Sequence, residues 1–218
     1  MVDPQPEIAP YLEAAAQKKM RITHVIETHI QADHRSGARD LVAATGAETC
    51  LHEAARVSFP FRALRDDEVL EVGNVKLRVI HTPGHTPESL CLLVTDESRA
   101  AMPWFLLTGD TLFSGGVGRP DLVGGGVERA LAAQLYDSLH GKLLTLPDHL
   151  EIYPAHFGGA ACGKGLSGKP MSTLGFERLF NPALQITPKE AFVEFALTDL
   201  PELPPVFDVN RRINAGVG

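Results

Sequence analysis

Apolar residues fall at helical spacing over residues 8–19, with Leu12, Ala15 and Ala16 on one face, and a β-branched run over 22–28 predicts a buried strand. Helical spacing returns over 35–45 and stops at Gly46, after which residues 48–51 predict a second strand. From Glu68 the period shortens to two. Val69, Leu70 and Val72 lead into Gly73-Asn74, and Val75, Leu77 and Val79 alternate up to His81, the pattern of a hairpin. Apolar runs over 90–94 and 104–107 predict two more strands. Helices alternating with strands, around a hairpin-rich middle, predict an α/β fold with a mixed rather than a purely parallel sheet.

Residues 114–126 hold six glycines, a density that marks a sharply turning loop, and no Gly-Lys-Ser/Thr follows to make it a phosphate loop. Beyond it the pattern predicts a helix over 127–139 and a short strand at Ile152-Tyr153. Thr187-Pro188-Lys189-Glu190 reads as a capping box with proline at the first helical position, opening a helix to Leu197, after which a proline-rich tail resumes. No repeat or low-complexity linker divides the chain, so residues 1–218 are expected to form one domain.

Composition narrows the functional classes. With 44% hydrophobic and 22% charged residues the chain is globular in type and long enough to bury a core without staples. Its formal charge of −7, with no basic cluster beyond pairs such as Lys18-Lys19 and Arg211-Arg212, argues against a nucleic-acid surface. Cys50, Cys91 and Cys162 are scattered singly, which points to a reducing compartment. No apolar run approaches bilayer-spanning length and residues 1–10 carry no basic side chain, so neither a membrane span nor a signal peptide is expected, and the cytoplasm is the expected location.

Candidate chemistry gathers at the predicted strand ends. His29 and His34 follow the first strand, His85 the Val75 strand and His156 the Ile152 strand, while Asp110 ends the Trp104 strand. With Asp33 they sit on loops leaving strand ends, where α/β sheets collect ligands, and imidazole with carboxylate suits Zn, Fe or Mn. Thr28-His29-x-x-x-Asp33-His34, Thr82-Pro83-Gly84-His85-Thr86, Thr108-Gly109-Asp110-Thr111 and Tyr153-Pro154-Ala155-His156, in this order, resemble the metallo-β-lactamase superfamily. That family's opening motif is His-x-His-x-Asp-His, followed by a later His, a bridging Asp and a final His. Gly118-Arg119-Pro120-Asp121 and the stretch from Ser172-Thr173 to Asn181-Pro182 are similar to its glyoxalase II and persulfide dioxygenase branch.

The resemblance implies an αββα sandwich, two mixed sheets face to face with helices outside. It implies a first metal site of His29, His85 and Asp110, and a second of Asp33, His34 and His156 with Asp110 bridging. The resemblance also implies an initial pair of strands before Met1-Val2-Asp3-Pro4; without them a sheet edge is open, so that either the start is truncated or a neighbouring subunit covers the edge, for which a homodimer is the expectation. The second His of the opening motif is Gln31, a weaker ligand than imidazole that would sit behind the metal's own ligands. Two His and one carboxylate remain, the set of non-haem Fe(II) oxygenases. Persulfide dioxygenases of the family resemble this set. The expected activity is therefore oxidation of a low-molecular-weight persulfide, such as glutathione persulfide, by O₂ to sulfite and thiol, with one Fe(II) per chain. The alternatives are a glyoxalase II-type thioester hydrolase with Zn(II), one or two ions, and a fold whose site is impaired.

Arg119 is a candidate contact for a carboxylate of the thiol carrier, set against a loop-stabilising ion pair with Asp121, and Tyr136 a candidate substrate contact set against a core role. Cys162 is a candidate sulfur acceptor through the nearby Lys164, whereas Cys50 and Cys91 read as small hydrophobes. His24, His52, His81, His140 and His149 fall outside the motif and read as surface or satisfied polar groups. The tail also resembles members that continue into a rhodanese domain, which makes a separate rhodanese-type sulfurtransferase a conceivable partner.

Overall fold

A computed structural model describes residues 1–217, apart from the side chain of Lys164. Near the N-terminus, β1 (His24–Ile26), β2 (Glu48–His52) and β3 (Arg62–Leu64) form a parallel sheet in that order. A second sheet gathers β4 (Val69–Val72), β5 (Val75–His81), β6 (Leu90–Asp96) and β7 (Phe105–Gly109) as an antiparallel run. The predicted hairpin is present, with Val72 paired to Val75 across Gly73-Asn74. Past β8 (Leu112–Phe113) and β9 (Gly116–Gly118), which pair within the glycine-rich stretch, β10 (Glu151–Pro154) joins this second sheet parallel to β7. β11 (Gly163–Lys164) pairs with β9, and β12 (Ser172–Thr173) closes the second sheet beside β10.

Alternation along the central strands explains the layering. Leu90 and Leu92 of β6 and Val79 of β5 face the parallel sheet and pack with Ile26, Cys50 and Leu64. Their neighbours Cys91, Leu93 and Ile80 point the other way, against α3 (Glu128–Tyr136) and α5 (Lys189–Leu197) through Ala132, Leu135 and Phe192. Side chains one residue apart leave a strand on opposite faces, so a strand apolar at every position is buried on both. On the outer side of the parallel sheet, Val25 packs with Leu12 of α1 (Ala9–Gln17) and Leu41 of α2 (Ala38–Thr45). The order is helices, sheet, sheet, helices, as the αββα expectation required, but only the second sheet is mixed: the sheet of β1 to β3 is parallel throughout.

Several local readings are corrected. The helix from Glu128 ends as α at Tyr136 and widens into a π-helical turn, Asp137–Lys142. The capping box at Thr187 does not form: Pro188 occupies the cap position of α5 without a side-chain cap bond, and the Thr187 carbonyl accepts the Tyr136 hydroxyl instead. The proline-rich tail contains a further helix, α6 (Val206–Asn214), and Ser172-Thr173 opens a short helix, α4 (Leu174–Phe180), whose Phe176 N–H is capped by Thr173 Oγ1.

Candidate metal centre

Four strand ends deliver the site. The loop after β1 carries His29, Gln31, Asp33 and His34, the loop after β5 carries His85, the end of β7 presents Asp110, and the end of β10 presents His156. Two glycines permit the approach. Gly109 has φ +50°, and a Cβ there would lie 2.7 Å from Thr28 Oγ1. A Cβ on Gly118 would meet the Asp110 carbonyl at 2.0 Å and the His85 side chain at 3.0 Å, so only glycine lets β9 close over the site. β9 is itself held by Asn181, whose amide donates to the Gly116 carbonyl and to the buried Glu177, which also accepts the Gly115 N–H.

His29, His85 and Asp110 are all buried, each at most 2% exposed. Asp110 Oδ2 lies 3.6 Å from His29 Nε2 and 3.4 Å from His85 Nε2. The other ring nitrogens are committed: His85 Nδ1 donates to the Arg119 carbonyl at 2.8 Å, and His29 Nδ1 meets Thr28 Oγ1 at 3.0 Å. Asp110 Oδ2 itself has no hydrogen-bond partner among the described residues. A buried carboxylate oxygen without a donor is strongly unfavourable, and two imidazole nitrogens aimed at it leave a place that a divalent cation would satisfy. The donor set fits a metal.

The neighbouring cluster is wired differently. Asp110 Oδ1 accepts from His156 Nδ1 at 2.6 Å, Asp33 Oδ2 accepts from His156 Nε2 at 2.9 Å, and Asp33 Oδ1 accepts from His34 Nδ1 at 2.8 Å. His156 thus lies between two carboxylates and, although burial opposes its charge, Asp110 and Asp33 push its pKa up to about 10. Asp33 is held well below the usual carboxylate range: burial opposes this, but hydrogen bonds from His156 and His34 outweigh it. His29 moves the opposite way, to about 3, because burial disfavours its cation more than Asp110 favours it, and burial likewise lowers His85.

All six motif residues converge, as ligand groups His29-His85-Asp110 and Asp33-His34-His156. Three other candidates are corrected. Arg119 is 2% exposed, binds both oxygens of Asp121 at 2.7 and 2.8 Å and donates to the Ala161 and Pro201 carbonyls, so no donor face is left for a substrate carboxylate. Tyr136 gives its hydroxyl to the Thr187 carbonyl and stacks on His140 at 4.2 Å, joining helix to helix. Cys162 is buried beside Asp110 and His156, and burial together with the negative charge of Asp110 and Asp33 pushes its thiol up, the reverse of an activated thiolate; the Lys164 side chain invoked for it lies outside the described residues. Gln31 is 1% exposed and neither amide atom has a partner among the described residues. The sequence reading missed Asp3, Asn210 and Asn214. Asp3 binds Thr28, while the two asparagines of α6 donate to the backbone carbonyls of Ala32, Gln31 and His34.

The metallo-beta-lactamase superfamily profile matches residues 1–156. Human mitochondrial persulfide dioxygenase ETHE1 is 29% identical over 222 residues, covering 100% of this chain and 79% of the human protein. A hydroxyacylglutathione hydrolase of Rhodopseudomonas palustris is 31% identical over 212 residues, covering 96% of this chain and 74% of its own length. The crystal structure of a metallo-beta-lactamase from Staphylococcus aureus superposes with a TM-score of 0.91 at 35% identity, covering 98% of this chain, which spans 64% of that one. Motif order, layer order and the profile match agree, and the chain belongs to the metallo-β-lactamase superfamily.

Proposed function

We propose that the protein is a mononuclear non-haem Fe(II) persulfide dioxygenase, converting R–S–SH, O₂ and water to R–SH, sulfite and two protons. The observation that carries this reading is the contrast between the two ligand clusters. His29, His85 and Asp110 form a two-imidazole, one-carboxylate set whose Asp110 Oδ2 is left unpartnered, whereas Asp33, His34 and His156 satisfy one another. An open cation place with three protein ligands, found among the described residues, suits a metal that must also take substrate and oxygen. Bound iron would supply the redox chemistry and hold the two reactants together. The chain's own part is to keep both Nε2 atoms facing Asp110, to exclude bulk water from the three buried ligands, and to hold the thiol carrier.

For the carrier, Arg119 is replaced by other cations. A cavity of about 390 Å³ is walled in part by Ile30 and Thr86, the chain neighbours of His29 and His85, together with Arg56, Arg211 and Arg212. Arg56 and Arg212 are exposed and in no ion pair among the described residues, and guanidinium groups suit the carboxylates of a glutathione-like molecule. The test is O₂ consumption by the Fe(II)-loaded protein given glutathione persulfide, with sulfite measured in the same sample and His85→Ala alongside. The expected result is equal O₂ uptake and sulfite, abolished in the variant, with one iron per chain. Iron bound without uptake overturns the reading.

A second reading, a two-metal thioester hydrolase with Zn(II), is favoured by the presence of Asp33, His34 and His156 with ligand atoms within 4.8 Å of one another. Two metals per chain and thioester cleavage that rises in Gln31→His would select it.

A further inference from the structure

The two imidazoles aimed at Asp110 Oδ2 owe their orientation to different partners. His85 donates Nδ1–H to the backbone carbonyl of Arg119, which can only accept, so its Nε2 is left as a free lone pair. His29 Nδ1 faces the hydroxyl of Thr28, which can either accept or donate. Left to itself, that hydroxyl would allow the ring proton on either nitrogen, and a proton on Nε2 would block metal binding at the one position where it is needed.

We propose that Asp3 removes this ambiguity and is a positioning residue for the metal ligand His29. Its Oδ1 accepts the Thr28 N–H at 2.8 Å and its Oδ2 accepts the Thr28 hydroxyl at 2.8 Å. With its single proton given to Asp3, Thr28 Oγ1 can only accept from His29, which fixes Nδ1–H and presents Nε2 unprotonated toward Asp110. The hydroxyl is enclosed on its far side by Gly109, where an added Cβ would come within 2.7 Å of it. Asp3 is itself held on β1, its N–H bonded to the Ile26 carbonyl and Val2 bridged to Ile26 in parallel register. A carboxylate 25 residues upstream of Thr28 thereby sets the tautomer of a ligand.

The polarity of this chain of bonds makes Asp3→Asn an instructive change. The Thr28 N–H obliges the asparagine carbonyl to face it, so the amide NH₂ must take the place of Oδ2 and donate to Thr28 Oγ1. The hydroxyl then turns its proton onto His29 Nδ1, and the ring proton moves to Nε2. Thr28→Val instead removes the relay without imposing the wrong tautomer, and Thr28→Ser keeps the hydroxyl.

The experiment is ¹⁵N-histidine NMR of the metal-free variants at pH 7.5, paired with Fe(II) and Zn(II) affinities from chelator competition and a melting curve for each. The expected order has the native protein and Thr28→Ser alike, with His29 as the Nδ1–H form. Asp3→Asn is switched to Nε2–H and binds metal on the order of 10- to 100-fold more weakly, with Thr28→Val between them and a mixture of forms. Retention of native tautomer and affinity by Asp3→Asn overturns the proposal, as does a larger loss in Thr28→Val than in Asp3→Asn. If Asp3→Asn does not fold, Thr28→Val decides alone, since an unmixed Nδ1–H population there would mean that the relay does not set it. The proposal requires His29 to bind metal but not the dioxygenase reaction, so a failed oxygen assay leaves these readouts unaffected.

Discussion

Gln31 and Asp110 share a burial problem and resolve it differently. Asp110 Oδ2 faces two imidazole nitrogens, where a cation would complete it, whereas the Gln31 carboxamide is buried with both polar atoms unpartnered among the described residues and carries no charge for a metal to neutralise. An unpartnered buried amide destabilises by about 1–3 kcal/mol. Gln31→Leu, similar in volume, is therefore expected to stabilise the metal-free protein by on the order of 1 kcal/mol, measured as an upward shift of its urea midpoint with unchanged slope. If the amide serves the bound substrate, the same variant should show weakened turnover with unchanged metal content. A destabilised Gln31→Leu would mean that the carboxamide has a partner in solution. Arg119 shows the complementary case: four donor contacts inside the protein make it a strut of the loop around Ala161 and Pro201, and Arg119→Ala should lower stability rather than raise KM alone.

The element that most changes the picture of the site is α6. Asn214 Oδ1 accepts the Ser36 N–H while its Nδ2 donates to the Gln31 and His34 carbonyls, and Asn210 holds the Ala32 carbonyl. The helix thus fastens the backbone of the loop that carries His29, Asp33 and His34. Asn214→Ala leaves those groups without their partner at a buried position, and a loss of about 2 kcal/mol is expected from thermal or urea unfolding, with faster metal release measured by chelator chase. Unchanged release would confine the helix to a purely structural role. None of this was legible in the sequence, because the bonds join residues 178 to 183 apart and asparagine gives no apolar period to follow. What was legible was local. The ligands sit at strand ends, the strands β5 and β6 alternate or are apolar throughout, and the hairpin turn is two residues long, so short-range pattern sufficed. The capping box failed for an equally local reason, since Pro188 took the cap position that Thr187 had been assigned. The Asp3 relay escaped notice because a lone aspartate among prolines carries no motif until β1 brings it beside Thr28.

At the scale of the molecule, a pair of histidines joins the two sheets. His52 ends β2 in the parallel sheet, His81 ends β5 in the other, and their rings stack at 3.6 Å with 10° between planes. His52 Nδ1 accepts the Ala54 N–H, and His81 Nε2 is bonded to the Pro87 carbonyl. Lys142 closes the group, bonded to Asp66 and to the His81 carbonyl. Burial, and then the neighbouring His81, lower the His52 pKa to about 4; Glu53 and Asp66 pull the other way, and Lys142 adds to the lowering. In the unfolded chain His52 has the ordinary imidazole value of 6.5. Between these values the unfolded state binds more protons than the folded one, so stability is present above pH 6.5 and is lost as pH falls toward 4. His29 and His85 are lowered by burial as well and His156 is raised, so the contribution of His52 is read by difference. His52→Asn can accept the same N–H two residues on through an Asx turn but cannot take a proton. Melting temperatures of the metal-free native protein and His52→Asn at pH 7.5 and 5.5 are expected to fall in both, and to fall further in the native protein. Equal drops would mean that His52 is protonated in the fold at no cost, and that the stacked pair does not couple the joining of the two sheets to pH.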